Sequence, residues 1–323
     1  MKILPTLVTG GCGFVGRHLV KRLLKNGHEI VLVDNLFSGT HPNEWLEKDD
    51  LDKIEFINLD VRDFFRSESE KKFDDVFHLS AVIGGRIKID KDPISVALDL
   101  SIDAEFFNWL VKNKPERVLY TSSSAAYPTS LQAKENQVLL KENMINLEGE
   151  LGSPDMTYGW SKLTGEYLSK LCAKYYGIHI ACVRPFSGYG EDQDLTYPVP
   201  AIGMRAVQKE DPLIVWGSGK QSRDFVYIED CIDAMLLSIE KISDGSGVNI
   251  SSGKPTTFLE VAQIYATIAD YSPSIKPLEN MPEGVFARYG DTEMSSKILG
   301  WKPKTDLYSG LKIVYDYLKS KTN

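Results

Sequence analysis

The chain has 323 residues, room for one large core or two unequal ones, and its 42% hydrophobic and 25% charged residues are ordinary for a globular protein. A formal net charge of −8 argues against a nonspecific hold on a nucleic-acid backbone, which needs clustered Lys and Arg. Cys12, Cys172, Cys182 and Cys231 form no CxxC pair, and no apolar run reaches the roughly 18 residues of a membrane helix, so a disulfide frame, a zinc site and a membrane span are set aside.

In chain order, 3–9 predicts a strand, and 14–25 has the periodicity of a helix ending at Asn26-Gly27. Glycines interrupt the first apolar run by Gly10, which does not suit a signal peptide and makes the cytoplasm the expected compartment. Strands follow at 29–33, 54–58, 75–79 and 117–121, with a long helix over about 94–112 before the last. The stretch 129–150 is polar and reads as a surface excursion; a helix over about 155–176 then precedes a strand at 180–183. Short strands alternating with helices predict an α/β fold, a doubly wound parallel sheet. After Arg184-Pro185, prolines 198, 200, 212, 255, 273, 277 and 282 break the chain, and helical patterns survive at 230–241, 258–269 and near 308–320. The expected division is 1–185 for a nucleotide-binding domain and 186–323 for a smaller α/β lobe over the sheet's carboxyl edge, with room for a strand or helix to exchange between them.

Between the first strand and the first helix lies TGGCGFVG (9–16). Gly10, Gly13 and Gly16 allow a tight turn, close approach of backbone to a pyrophosphate, and close helix–strand packing, while Phe14 and Val15 open a helix whose first N–H groups face the phosphates. Asp34, followed by Asn35, closes the second strand 18 residues after Gly16. A carboxylate there accepts from ribose hydroxyls and repels a 2′-phosphate, so the spacing predicts a Rossmann site for NAD in preference to NADP. Asp60-Val61 is placed to hold the adenine edge or is a solvated loop end.

Tyr158 and Lys162 stand four apart and so share a helix face. Hydride transfer at a carbinol needs a base for the hydroxyl proton; a phenol, with a pKa near 10, serves only if a nearby ammonium and a positive nicotinamide lower it. The spacing alone recurs at Tyr308/Lys312, Tyr315/Lys319 and Tyr317/Lys321. What singles out Tyr158 is its place after the strand that ends in Ser122-Ser123-Ser124, which supplies a hydroxyl partner.

These pieces together resemble an extended short-chain dehydrogenase/reductase of the nucleotide-sugar epimerase/dehydratase family. The resemblance runs along nearly the whole chain: TGGCGFVG, Asp34, DVRD (60–63), HLSA (78–81), SSSAAYP (122–128), YGWSK (158–162), RPFSGYG (184–190) and WGSGKQSRDFVYIED (216–230). It implies a doubly wound NAD domain with a nucleotide-sugar lobe. It implies Tyr158 as base, Lys162 as orienter of the ribose, Ser123 or Ser124 as hydroxyl partner, and Leu79, Ser80 and Ala81 along the cofactor. It also implies Arg223 and Arg288 as a clamp on the diphosphate of a sugar nucleotide, with surface ion pairs as the plain alternative. Ser187 stands where many relatives carry Asn.

Ile83-Gly84-Gly85-Arg86, Tyr127-Pro128 and Pro282-Glu283-Gly284-Val285 resemble the GDP-mannose 3,5-epimerase branch, in which Gly84, Gly85 and Arg86 would meet the hexose. That branch carries a Cys where this chain has Ala125, and Tyr197 stands loosely at the position of its lysine. A 4,6-dehydratase would need an acid after the serines, where Ala125-Ala126 offers none. What remains is oxidation at sugar C4, most simply in a 4-epimerase of GDP-sugars or, if the ketone is released, a 4-dehydrogenase. A non-catalytic NAD sensor would have no use for the tyrosine, lysine and serine. Phe106, Phe107, Trp109, Trp160, Leu163 and Tyr167 on the two long helices are either core or the seam of a homodimer, the pairing common in this family.

Overall fold

The computed structural model describes residues 4–67, 71–82 and 86–322. Five strands of the first half, β1 (Thr6–Thr9), β2 (Ile30–Asp34), β3 (Ile54–Asn58), β4 (Asp75–His78) and β5 (Arg117–Thr121), are joined by β6 (Ile180–Pro185). β7 (Ser187–Tyr189), β8 (Leu213–Trp216) and β9 (Ser222–Tyr227) leave the sheet, and β10 (Asp244–Ile250) returns to it. The spatial order is β10-β6-β5-β4-β1-β2-β3, all parallel. The order reverses between β1 and β4, so their carboxyl ends flank a crevice.

Strand alternation divides the core. Leu7, Val31, Val33, Val76, Val118 and Tyr120 face one side, against Phe64 and Phe65 of α2 (Val61–Ser67) and Phe106 and Trp109 of α3 (Asp99–Asn113). Val8, Leu32, Phe77 and Leu119 face the other, against α1 (Phe14–Lys25) and α6 (Ile228–Lys241). The remaining long helices are α4 (Met156–Tyr176), α5 (Pro198–Val207), α7 (Phe258–Ile268) and α8 (Leu307–Thr322). α4 lies close on β5: a Cβ added at Gly165 would fall 1.9 Å from the Tyr120 hydroxyl. Buried Arg184 of β6 pins the same helix through two bonds to Glu166, at 2.9 and 2.7 Å.

The observed elements depart from the expected ones in several places. β1 begins at Thr6, after Pro5, and takes its first bond from Thr6 N–H to Glu29 O at 2.9 Å; a proline has no N–H to give a ladder. The helix expected over 94–112 is broken into Pro93–Val96, which Asp92-Pro93 starts, and α3, and a further short helix, Arg86–Lys91, precedes them. The excursion at 129–150 is anchored rather than loose: Gln132, Leu140, Glu142 and Ile145 are buried. Of the six bulky residues on the long helices, Phe106, Phe107, Trp109 and Leu163 are core; Trp160 and Tyr167 are exposed, as are Ile94, Leu98 and Leu100. Among the described residues no helix is long and apolar enough to cross a membrane.

Candidate active site

Gly10 to Gly13 turn the chain from β1 into α1. Gly10 has φ +70°, and a Cβ there would lie 2.6 Å from the Ser80 amide nitrogen, so only glycine lets the turn pass the 79–81 loop. Leu79 N–H bonds Thr9 O at 3.0 Å, which sets Leu79, Ser80 and Ala81 along the crevice wall. A Cβ at Gly13 would meet only the Gly10 carbonyl oxygen, at 3.4 Å, so its outer side is open. Next to that opening the amides of Phe14, Val15 and Gly16 occupy the first turn of α1, where N–H groups lack intrahelical acceptors. This cradle fits a pyrophosphate.

Asp34 ends β2 with Oδ2 accepting Cys12 N–H at 3.0 Å and Oδ1 accepting Leu36 N–H at 2.8 Å. Each oxygen keeps a second lone pair, enough for ribose hydroxyls. Burial pushes its carboxyl up, and the Leu36 and Cys12 amides pull it back. Asn35 is exposed and accepts Phe37 N–H at 3.1 Å. Asp60 is paired rather than bare: Arg62 donates Nε at 2.9 Å to Oδ1 and Nη2 at 2.7 Å to Oδ2, and Oδ2 keeps a second lone pair that an adenine amine could use. Val61 is buried in the first turn of α2.

Tyr158 and Lys162 share the face of α4 turned to the crevice. The Lys162 Nζ lies 5.8 Å from the Tyr158 ring centroid and 3.9 Å from Asp99 Oδ2. Ser123 opens a single turn, Ser124–Ala126, its Oγ accepting Ala125 N–H at 3.1 Å, and the same side chain acts to lower the Tyr158 pKa. Ser124 is buried and lines the same cavity. Burial pushes the Tyr158 phenol above its ordinary range; Lys162 opposes this, Asp99 adds to it, and Ser123 and Arg288 lower it. The ammonium without the nicotinamide does not bring the phenol below its ordinary range. Bound NAD supplies the hydride acceptor and, in its oxidised form, a further positive charge beside the phenol. Burial also works against the Lys162 charge, but Asp99 and then Asp103 overcome it and hold the ammonium above its usual value.

A cavity of about 340 Å³ opens from Ser123, Ala125 and Tyr158. Its walls include Ser187 of β7, Tyr197 before α5, Trp216 of β8, Phe258 of α7, and Glu283. Arg86, Arg223 and Arg288 all enter it. Asp155, three residues before Tyr158, ties two of them together, accepting Arg86 Nη1 at 2.9 and 3.0 Å and Arg288 Nη2 at 2.8 Å. Arg86 also pairs with Asp90, and Arg288 Nε donates to Gln132 Oε1 at 2.5 Å. Arg223 has no carboxylate among the described residues: it donates to the carbonyls of Ser222 (2.7 Å) and Glu283 (3.1 Å) and lies 5.8 Å from the Phe258 ring centroid. Burial, then the charge of Arg288, pushes its proton affinity down. A cation so placed is a receptor for an anion. Gly84 and Gly85 lie outside the described residues. Sequence reasoning missed Asp155 and Asp99; only Asp155 carries a signal, as the acidic residue immediately before a helical run.

A nucleotide cradle at the switch point of a doubly wound sheet, with a phenol, an ammonium and a serine at its open end, defines a dinucleotide-dependent oxidoreductase site. Residues 6–251 match the profile of the NAD dependent epimerase/dehydratase family, and the chain belongs to that family; its cofactor is NAD. Along 97% of its length it is 30% identical to a putative UDP-glucose 4-epimerase of Methanocaldococcus jannaschii, covering 98% of that protein. It is 29% identical to GDP-mannose 3,5-epimerase 1 of Oryza sativa subsp. indica over 97% of this chain and 81% of the other. The crystal structure of Thermotoga maritima UDP-glucose 4-epimerase with UDP-glucose superposes with a TM-score of 0.84 at 27% identity, covering 99% of this chain and all of that one (100%).

Proposed function

We infer that the protein is a 4-epimerase of nucleotide-diphosphate sugars. Tyr158 takes the proton of the C4 hydroxyl as hydride leaves C4 for NAD, Ser123 holds the same oxygen, and Lys162 orients the cofactor ribose. The 4-keto sugar then accepts hydride on its other face. Because Tyr158 returns the proton it took, the cycle needs no second acid at the ring. The observation that carries this reading is the composition of the cavity wall: Ser123, Tyr158 and Ala125 lie together, and Ala125 has no proton to exchange at C3 or C5.

Arg223 and Arg288 take the diphosphate in this reading, and Arg86 the sugar side. The nucleotide is GDP, an assignment supported by the 3,5-epimerase-like segment at Pro282 and Glu283, which lines the cavity. Residues 1–185 hold the cofactor and 186–323 the sugar nucleotide, with β10 lent back to the sheet. The exposed Leu98, Leu100, Trp160 and Tyr167 on or beside α3 and α4 are the surface through which two copies pair.

Incubation of the NAD-loaded protein with GDP- and UDP-hexoses in deuterated water tests the assignment. Inversion at C4 without ring deuterium is expected. Deuterium at C3 or C5 would replace it with 3,5-epimerisation, and net 4-keto sugar with accumulating NADH would make the protein a dehydrogenase.

A further inference from the structure

Behind the tyrosine and lysine lies a buried polar cluster that the chemistry above leaves without a task. Asp99 and Asp103, one turn apart on α3, have side chains only 1% and 2% exposed. Asp103 Oδ2 accepts the Tyr120 hydroxyl at 2.6 Å, and its Oδ1 is 3.4 Å from His78 Nε2, whose Nδ1 meets the Thr9 hydroxyl at 2.8 Å. Burial drives His78 below its ordinary range, so it adds no positive charge. Among the described residues Lys162 is then the cation that faces both carboxylates.

The arrangement of Asp99 is particular. Its oxygens are fixed by the Val82 amide and, at 3.4 Å, by the Ser161 hydroxyl. Lys162 Nζ stands 3.9 Å from Oδ2, within the range of an ion pair and beyond that of a hydrogen bond. The ammonium therefore feels the carboxylate without spending an N–H on it, and among the described residues it makes no hydrogen bond. Its protons stay available to the cofactor ribose. The rest of the cluster is no proton conduit: Thr9, His78, Tyr120 and Asp103 are all buried within the sheet and helix layers.

We propose that Asp99 is a positioning residue for hydride transfer: it anchors the Lys162 ammonium below Tyr158 and offsets part of its charge, so that the Lys162–Asp99 pair, not Lys162 alone, sets how tightly Tyr158 holds its proton. The groups facing the phenol are Lys162 on its own helix, Asp99 from α3, Ser123 after β5, Arg288 from the small lobe, and Tyr197 before α5. Asp99 is the carboxylate among them. The proposal rests on Tyr158 being the acid–base group, but its titration arm needs no substrate, so that arm succeeds or fails independently of the sugar assignment.

The test is an ultraviolet titration of tyrosinate, with and without NAD, in the natural chain and in Asp99→Asn, each against the same protein carrying Tyr158→Phe. The difference isolates Tyr158. Removing the carboxylate should lower the Tyr158 midpoint by about one pH unit, and Asp99→Glu should restore it. The acid limb of kcat against pH should shift with it. Should Asp99→Asn fail to fold, Asp99→Ser, which removes the same carboxylate, carries the same expectation. An unmoved midpoint in a folded variant, or activity lost equally at every pH, would overturn the proposal.

Discussion

Gly165→Ala probes how the sheet holds the catalytic helix. The new Cβ would lie 1.9 Å from the Tyr120 hydroxyl oxygen, 2.1 Å from Cζ and 2.6 Å from Cε1, whereas side chains essentially never come closer than 3.0 Å. The gap must open by about 1 Å. Tyr120 cannot give way: its ring is wholly buried and its hydroxyl donates to Asp103 at 2.6 Å. So α4 must move, carrying Lys162 and Tyr158. Overpacking of a close-packed core costs about 1–3 kcal/mol, and pulling Glu166 of α4 away from buried Arg184 loses a charged hydrogen bond worth about 1.5–3. We expect a loss of roughly 3–5 kcal/mol, read from the urea midpoint, and a kcat reduced by about 10²-fold through misplacement of the phenol. Tyr120→Phe in the same background should recover little, since Cζ remains at 2.1 Å. A midpoint and kcat equal to those of the natural chain would refute the packing argument.

Three further outcomes follow from other parts of the structure. Burial opposes the charge of His18, but Asp192 and Glu229 prevail and push it up to about 9; its pKa is thus higher folded than unfolded, so its contribution is whole below about pH 6.5 and lost as pH rises through about 9. His18→Gln should cost roughly 2 kcal/mol near pH 6 and flatten the decline of Tm toward pH 9; an unchanged slope would contradict the assignment. Arg223→Lys should raise KM for the sugar nucleotide more than about 10-fold with little change in Tm, because a lysine lacks the planar fork; an unaltered KM would remove Arg223 from the diphosphate clamp. Gly16→Ala, whose Cβ would lie 2.4 Å from the Gly11 Cα, should abolish NAD binding by calorimetry, and retained affinity would count against the cradle.

The sheet's first half was readable because its strands are apolar runs between helix-period segments, and the glycine turn sits where the first strand meets the first helix. The seventh strand was not. β10 is Asp-Gly-Ser-Gly-Val-Asn-Ile, with a register shift between Asp244 and Gly247, so neither alternation nor an apolar run announces it. Its glycine has a tertiary cause: a Cβ at Gly247 would lie 2.9 Å from the Arg184 guanidinium, which must stay paired with Glu166. Likewise the long helix before β5 breaks where the chain must bring Asp99 to the Val82 amide, a contact 17 residues away that no local pattern encodes. Tyr158, Lys162 and the serines are picked out by their order along the chain, and the fold brings Tyr158, Ser123 and Ser124 to one cavity. Asp155 and Asp99 are not picked out so, because a carboxylate before or early in a helix is common, and only the fold brings arginines to one and the lysine to the other.

The central claim is that the Tyr158 phenol moves the sugar's C4 hydroxyl proton. The most direct test is the rate of C4 inversion of a nucleotide hexose by NAD-loaded Tyr158→Phe against the natural chain, with nucleotide-sugar affinity measured in parallel. The rate should fall by about 10²–10⁴-fold at nearly unchanged affinity. A phenylalanine enzyme that inverts C4 as fast as the natural one would contradict it.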